Sequence, residues 1–296
     1  FVSTGSELRV PNEPSGSIFV PCETTCRLLV ARTMMLPSWE EFLRDLTPTG
    51  NTDYQHLEES RQFGRDWFTV DVASSWTSWT AANWQIPITA VTVYVVVLVL
   101  VHSYMKTRET AIKLPNTVMF WNFALAIYSF AGALVTIPAL LFGFKNGLVN
   151  GFYPSVCSDA YYYGMGYPGF FVMLFIYSKF IELVDTLWLV LRKAPLTPLH
   201  VWHHITVLLY CWHSYAAQIG TGLWFAAMNY LVHSVMYCYF GATQISPSWR
   251  KAVKPFAILI TLLQLAQMCV GIAVTVASMV YTSRDDECHV NNTNSL

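Results

Sequence analysis

Three imidazole side chains share one helix face near the start of an apolar stretch. His200, His203 and His204 stand at i, i+3 and i+4, the spacing that brings side chains together on a helix. Imidazole can attack an acyl carbonyl, transfer protons or ligate a metal ion. The cluster therefore predicts either acyl-transfer and acid–base chemistry or a metal centre. His213, farther along the same stretch, is interpreted as a packing residue.

A second polar stripe lies in the preceding apolar stretch, in the sequence KFIELVDT. Lys179, Glu182 and Thr186 fall within about 60° on a helical wheel, and Asp185 widens this face to about 120°. A charge inside a membrane helix costs about 2.5–3.5 kcal/mol, so such residues usually face an interior or a cavity. Simple pairing of Lys179 with Glu182 is the structural alternative, but it does not account for Asp185 and Thr186.

Two later stretches add polar groups at helical spacing. NYLVHSVMYCYF places Asn229, His233 and Tyr237 within about 100°. TLLQLAQ contributes Gln264 and Gln267, which either join helices by hydrogen bonds or belong to the site. At 1.5 Å per residue, most of these groups fall roughly 8–18 Å from the cytosolic ends of their helices. This common level predicts one site that a polar cytosolic molecule reaches, with apolar space beyond it for a chain.

The elements that must position these side chains are membrane helices. Hydrophobic residues make up 54% of the chain and charged residues only 12%, against roughly 25% in soluble domains. Six apolar stretches approach the roughly 20 residues that cross a bilayer. They are approximately Ile86–Met105, Val118–Phe144, Pro168–Leu191, Pro198–Ala217, Gly222–Ala242 and Pro255–Tyr281. The prediction is an all-α polytopic membrane bundle, residues 84–296, preceded by an extension, residues 1–83, of unknown role.

The distribution of basic residues predicts the topology of this bundle. Three alternate connectors contain Lys106, Arg108, Lys113, Arg192, Lys193, Arg250, Lys251 and Lys254. By the positive-inside rule these connectors face the cytosol, and the other loops and the N-terminus face the lumen or exterior. The last segment, with its Asn291-Asn292-Thr293 glycosylation sequon, fits the outer side.

Cys157 and Cys288 lie in outer loops, where an oxidising compartment permits a disulfide. We predict that they pair, the alternative being two unrelated loop thiols.

Other classes of protein fit the sequence less well. Membrane di-iron desaturases and hydroxylases need several histidine boxes, and this chain has one; the remaining histidines, among them His56, His102 and His289, form no second box, so no metal is expected. A non-enzymatic transporter or receptor would not need three histidines at a helix entrance, and the Gly/Pro-broken helix pairs of many transporters are missing from the sequence. A net charge of −1 gives no reason to expect nucleic-acid binding.

The motifs resemble those of the ELO family of fatty acid elongases, the membrane 3-oxoacyl-CoA synthases. The resemblance rests on KxxExxDT (Lys179, Glu182, Asp185, Thr186), HxxHH (His200, His203, His204), NxxxHxxMYxY (Asn229, His233, Met236, Tyr237, Tyr239), TxxQxxQ (Thr261, Gln264, Gln267) and FWNFALAIYSFAGA with Asn122. It covers approximately Ile86–Leu296. Phe240 stands where the family usually has a second tyrosine. The family also has a seventh span, so this chain is expected to be a fragment that lacks it at the C-terminus.

The resemblance implies condensation of a long-chain acyl-CoA with malonyl-CoA to a 3-oxoacyl-CoA, through an acyl-histidine in an acyl tunnel. His203 is the expected acyl acceptor, oriented by His200 and His204. Lys179, Asn229, His233 and Gln264 would stabilise the enolate, while Glu182 and Asp185 hold Lys179 and the imidazoles in register. The implied substrate-binding residues are Asn122, Asn229, Tyr237, Gln264 and Gln267.

The resemblance also implies an endoplasmic reticulum multi-pass protein with no cofactor beyond its two CoA substrates. Membrane lipid and the other enzymes of the elongation cycle are the expected partners, and homo-oligomerisation is left open. The sequence is most similar to elongases of saturated and monounsaturated long chains.

Overall fold

The structure is a computed structural model that describes residues 70–143, 147–157, 166–284 and 288. Within this part of the chain all regular elements are helical. The helices are α1 (Val70–Ala82), α2 (Gln85–Thr107), α3 (Pro115–Phe142), α4 (Phe152–Cys157), α5 (Gly166–Glu182), α6 (Val184–Leu191), α7 (Pro198–Ala216), α8 (Gly222–Ile245), α9 (Pro247–Val253) and α10 (Ala257–Arg284), with 3-10 turns at Leu148–Asn150 and Lys254–Phe256. The fold is therefore all-α.

Each of the six apolar stretches contains a long helix, and local chemistry sets several of the boundaries. Pro115 and Pro198 occupy first helical turns, where the missing N–H costs nothing. Thr197 caps α7 by accepting a hydrogen bond from the His200 backbone N–H at 3.3 Å. The third stretch is divided by a turn at Leu183 into α5 and α6, which places Asp185 in the first turn of α6. A carboxylate is favourable at that end of a helix dipole.

Three helical stretches are long and apolar enough to cross a membrane: Gln85–Thr107, Pro115–Phe142 and Pro247–Arg284. Their outward side chains agree with a lipid environment, since Phe120, Ile127 and Ile258 are at least 70% exposed. The polar stripe and the three clustered histidines lie on helices between the second and third of these stretches. The protein is a membrane protein, and the count of six spans remains a prediction.

The core forms where α3, α5, α7 and α8 pack together. Helices α3 and α8 pack most extensively, and at Gly132 they approach so closely that a Cβ atom would lie 2.5 Å from the Tyr230 ring. Helix α6 packs on α2, and α1 packs on α5 and α7. Four helices thus meet around the segment that contains the polar stripe.

Cys157, at the end of α4, and Cys288, beyond α10, form the disulfide that their outer-loop positions predict. It ties the connector after α3 to the end of the bundle, where α4 also packs on α10. Most of the extension at residues 1–83, and the glycosylation sequon, lie outside the described residues.

Candidate active site

A buried ion pair forms the centre of the polar cluster. Lys179 Nζ donates to Glu182 Oε1 at 2.7 Å and to Asn229 Oδ1 at 3.0 Å. Lys179 is 3% exposed and Glu182 6%, so each charge depends on the other for compensation. The ammonium also lies 4.1 Å from the centre of the Phe175 ring. Helices α5 and α8 are therefore joined through these groups, and the expected pairing at i, i+3 is present but is not the whole arrangement.

The contacts of Asn229 fix the proton position on His233. Since Lys179 can only donate, the amide oxygen of Asn229 faces it and the amide nitrogen faces His233 Nε2, 3.1 Å away. His233 Nε2 therefore accepts a hydrogen bond from the Asn229 amide, and the proton of the neutral imidazole ring lies on Nδ1. His233 Nδ1 is 3.9 Å from Glu182 Oε1, so the imidazole is oriented toward the carboxylate.

Ser178 supports the same carboxylate and was not found by the sequence analysis. Its hydroxyl lies 3.3 Å from Glu182 Oε1 and donates to the Phe175 carbonyl at 2.8 Å. Serine in an apolar helix usually bonds to the preceding turn, so its spacing carries no signal of a site.

His200 belongs to a second chain of hydrogen bonds. Its Nε2 lies 3.1 Å from Thr186 Oγ1, which in turn lies 2.8 Å from the Tyr94 hydroxyl. Thr186 is completely buried, so this chain is shielded from water. This hydrogen bond accounts for the presence of Thr186 in the polar stripe, and it fixes the orientation of the His200 ring. Tyr94, on α2, is a further member that the sequence analysis missed.

The three histidines of HxxHH occupy different environments. The His200 and His204 rings are 4.5 Å apart, and the His203 and His204 rings 5.7 Å apart. His204 is buried, whereas His203 is exposed and its ring makes no hydrogen bond to any described residue. His203 is therefore the imidazole that a reactant can approach without breaking an existing bond.

Asp185 is held by two hydrogen bonds from neighbouring helices. Trp121 Nε1 donates to Oδ1 at 2.6 Å, and the Tyr237 hydroxyl donates to Oδ2 at 2.6 Å. Tyr237 also contacts the His233 ring, with 5.3 Å between the ring centres. Asp185 thus joins α3, α6 and α8, and it reaches the imidazole through Tyr237. Trp121 adjoins Asn122 in the sequence, but no spacing rule identifies it.

Three of the residues expected to bind substrate lie apart from this network. Asn122 is buried and donates to the Val118 carbonyl of its own helix at 2.7 Å. Gln264 is exposed, and its amide lies 3.3 Å from Met236 Sδ, an interhelical contact. Gln267 is half-buried, and the hydrogen bonds of the described residues do not include its side chain. Roles for these three residues remain predictions.

A small apolar cavity lies beyond the polar cluster, near the C-terminal end of α7 and the N-terminal end of α8. It is lined by Val172, Phe175, Ile176, Tyr210, Cys211, Ser214, Tyr215, Gly222 and Phe225. Phe175 and Ile176 are one helical turn from Lys179, so the cavity begins roughly 5 Å beyond the ion pair. Along the helices, the charged and imidazole side chains therefore come first, and the apolar cavity lies beyond them.

Cationic side chains gather at the opposite end of the bundle, the end predicted to face the cytosol. Arg192 donates to Gln244 Oε1 at 2.9 Å, and Arg250 donates to the Thr243 carbonyl at 3.1 Å. Burial, and then the nearby charge of Arg250, lower the pKa of the Arg192 guanidinium. Two like charges are thus held close together, an arrangement that attracts anions.

Among the described residues, His, Cys, Asp and Glu side chains form no group of three arranged to hold a metal ion.

Most of this chain is similar in sequence to known proteins. The family described as "ELO: GNS1/SUR4 family" matches residues 79–296. "Fatty acid elongase 3" of Trypanosoma cruzi (strain CL Brener) is 35% identical over 237 residues, which cover 73% of this chain and 78% of the relative. "Fatty acid elongase 3" of Trypanosoma brucei brucei (strain 927/4 GUTat10.1) is 35% identical over 217 residues, 66% of this chain and 71% of the relative. "Very long chain fatty acid elongase 6" of Drosophila melanogaster is 36% identical over 220 residues, which cover 73% of this chain and 67% of the relative.

Proposed function

Since this chain belongs to the ELO (GNS1/SUR4) family, it is a membrane enzyme of fatty acid elongation, and we propose that it condenses an acyl-CoA with malonyl-CoA. The products are a 3-oxoacyl-CoA two carbons longer, carbon dioxide and free CoA, which makes the enzyme an acyltransferase and a 3-oxoacyl-CoA synthase. Long-chain saturated and monounsaturated acyl groups are the proposed substrates.

The observation that carries this proposal is the position of an exposed imidazole above an apolar cavity. Tyr210, Cys211 and Ser214 follow His203 at i+7, i+8 and i+11, on the same side of α7, and all three line the cavity. An acyl thioester whose carbonyl meets His203 would direct its apolar chain toward these residues. Because the cavity has a volume of only about 30 Å³, the side chains around it must move apart to admit the chain. The cationic cytosolic end supports the same orientation, because the CoA phosphates are anionic.

In the first half of the proposed reaction, a ring nitrogen of His203 attacks the thioester carbonyl. The new C–N bond forms as the C–S bond breaks, and the CoA thiolate leaves and takes up the proton that the acylated ring loses from its other nitrogen. His204 packs beside His203, and His200 is oriented by Thr186, so both neighbours are suited to hold the attacking ring and to move the proton. The result is an acyl-imidazole enzyme.

In the second half, malonyl-CoA loses carbon dioxide and leaves an enolate. The enolate carbon attacks the acyl-imidazole carbonyl and the C–N bond breaks. The released His203 imidazolate takes up a proton from solvent and returns to neutral imidazole. The negative charge of the enolate needs positioned donors. Lys179, Asn229 and His233 are proposed for this role, and Gln264 is retained as a further candidate. Glu182 positions Lys179 through the bond at 2.7 Å.

We further propose six spans in the endoplasmic reticulum membrane, with basic connectors in the cytosol. The positions of the long helices support this topology, and the outer disulfide is compatible with a lumenal loop. The other enzymes of the elongation cycle and a homo-oligomer are proposed partners.

The test is an elongation assay in microsomes with labelled malonyl-CoA and a panel of acyl-CoAs. The wild-type protein is expected to give labelled 3-oxoacyl products, and His203→Ala is expected to give none. His213→Ala is the matched control, because His213 lies on the same helix, is exposed, and contacts Trp84 away from the polar cluster. Equal activity of the His203→Ala and wild-type proteins would refute the acyl-acceptor role.

A second measurement separates this proposal from its main rival. No elongation by folded wild-type protein, together with iron in the purified sample, would favour a membrane desaturase or hydroxylase. Labelled product from protein without bound iron would exclude that rival.

A further inference from the structure

Two lysines without a charge partner lie at the end of the bundle that is predicted to face the cytosol. Lys251, in α9, and Lys254, in the 3-10 turn that follows, are both exposed. The ion pairs of the described residues include neither ammonium group. The segment 246–256, which contains both lysines, has no acidic residue. The two lysines are therefore available to bind an anion from outside the chain.

The arginine beside them differs because it already has a structural role. Arg250 Nε donates to the Thr243 carbonyl at 3.1 Å, so its guanidinium lies at the C-terminal end of α8. A cation there is favourable for the helix dipole and pairs a carbonyl that has no partner within the helix. Ser246 accepts a hydrogen bond from the Trp249 backbone N–H at 3.2 Å and caps α9. These contacts fix the short helix at the end of α8, and they leave the lysines exposed.

Exposed aromatic side chains place the two lysines at the level of the lipid headgroups. Trp249 is 52% exposed and Phe256 is 58% exposed, and they flank the lysines in the sequence. Aromatic rings are enriched where the hydrocarbon of a membrane meets water, and tryptophan is typical of that level. A lysine at this level can lay its apolar stem along the membrane and keep its ammonium group among the headgroups.

An exposed apolar row on α10 begins directly after the lysines. Ile258, Leu262, Leu265 and Ile272 are each at least 56% exposed, and they lie within about 80° on one side of the helix. The row is roughly 21 Å long, against about 15 Å of hydrocarbon in one leaflet of a bilayer. The acyl chains of a phospholipid can therefore lie along this row while the headgroup contacts the preceding lysines.

We propose that Lys251 and Lys254 form a binding site for an anionic phospholipid of the cytosolic leaflet, with its acyl chains along the exposed row of α10. The two charges select a headgroup with net negative charge, such as phosphatidylserine, over zwitterionic phosphatidylcholine. The occupant is a lipid because the cationic and apolar parts are continuous, whereas a soluble anion would use only the cationic part. Binding depends on the proposed cytosolic position of α9 and does not depend on the proposed reaction.

The expected preference follows from the attraction between a lysine and an anionic membrane surface. Each lysine should raise the affinity about 5-fold, and the pair about 30-fold. Native mass spectrometry of the full chain in detergent measures Kd for the first molecule of dioleoyl-phosphatidylserine or dioleoyl-phosphatidylcholine that binds. The wild type should favour phosphatidylserine by about 30-fold. The double variant Lys251→Gln with Lys254→Gln should reduce this preference to less than about 2-fold.

The matched control is the double variant Lys106→Gln with Lys113→Gln. It removes the same charge from two exposed lysines at the same end of the bundle, so it should keep the preference. Both double variants should melt within about 2 °C of the wild type in lipid-free detergent, because all four side chains are exposed.

Three results would overturn the lipid site. The first is equal affinity of the wild type for the two lipids. The second is an equal loss of preference in both double variants, since the general charge of this end would then attract the lipid. The third comes from free CoA, a soluble anion: CoA binding that needs Lys251 and Lys254, without a preference for phosphatidylserine, would assign these lysines to the CoA phosphates. Each of these results leaves the elongase proposal intact, because the measurement does not involve elongation.

Discussion

The ion pair between Lys179 and Glu182 predicts that changing one partner harms the protein more than changing both. Both side chains are buried, with 2.7 Å between Nζ and Oε1. Lys179→Met leaves a buried carboxylate, and Glu182→Gln leaves a buried ammonium whose remaining contacts are the Asn229 oxygen and the Phe175 ring. The double variant removes both charges and leaves neither uncompensated.

The magnitude follows from the distance and the burial. At an effective dielectric constant of about 20, two unit charges 2.7 Å apart attract by about 6 kcal/mol, most of which is offset by the cost of removing them from water. Breaking such a pair from one side costs about 3–5 kcal/mol, whereas replacing both partners by uncharged groups is often close to neutral. At about 2–4 °C per kcal/mol for a chain of this size, each single variant should melt about 6–20 °C lower than the wild type.

Thermal unfolding in detergent, followed by the loss of monodisperse protein, measures these shifts. Lys251→Met is the matched control, since this lysine is exposed and its variant should melt within about 2 °C of the wild type. The double variant should recover most of the loss but should remain inactive without Lys179. Additive losses in the double variant would refute the reasoning, because they would mean that the two charges act independently.

Three further predictions concern separate contacts. Thr186→Val removes the hydroxyl between Tyr94 and His200, and we expect about 10-fold lower kcat/KM for elongation, with activity retained in Thr186→Ser. Gly132→Ala places a Cβ atom 2.5 Å from an aromatic ring of α8 and should destabilise the protein by about 1–3 kcal/mol, measured as a lower melting temperature than in Ala133→Gly. Cys288→Ser opens the disulfide and should cost about 2–4 kcal/mol, and dithiothreitol should lower the melting temperature of the wild type but not of this variant.

The sequence predicted the helices well because their boundaries have local causes. The stretch predicted at Pro198–Ala217 is the helix Pro198–Ala216, which begins at a proline behind a capping threonine. The polar stripe was also predictable, since unpaired charges are costly in an apolar helix and their spacing on α5 is read directly from the sequence. The division of this helix at Leu183 was missed, because leucine is a good helix former and no Gly or Pro marks the turn.

Contacts between helices were predicted less completely, because spacing gives the level of a side chain along its helix but not its direction in the bundle. Gln264 was expected at the level of His233, yet it is exposed and its amide contacts Met236. Trp121 and Tyr94 were missed for a related reason: an aromatic residue in an apolar helix signals packing or lipid contact, and its polar atom finds a partner only in the tertiary structure.

The network in this structure also predicts the order of the two half-reactions. Lys179, Asn229 and His233 form hydrogen bonds to one another or to Glu182. Some of these hydrogen bonds must break before the same groups can donate to an enolate. Acyl transfer to the exposed His203 requires no such exchange. CoA release from acyl-CoA should therefore proceed without malonyl-CoA. Asn229→Leu should retain this release and lose the 3-oxoacyl product by about 10²-fold. His203→Ala should lose both, and a requirement for malonyl-CoA in the release of the first CoA would contradict this order.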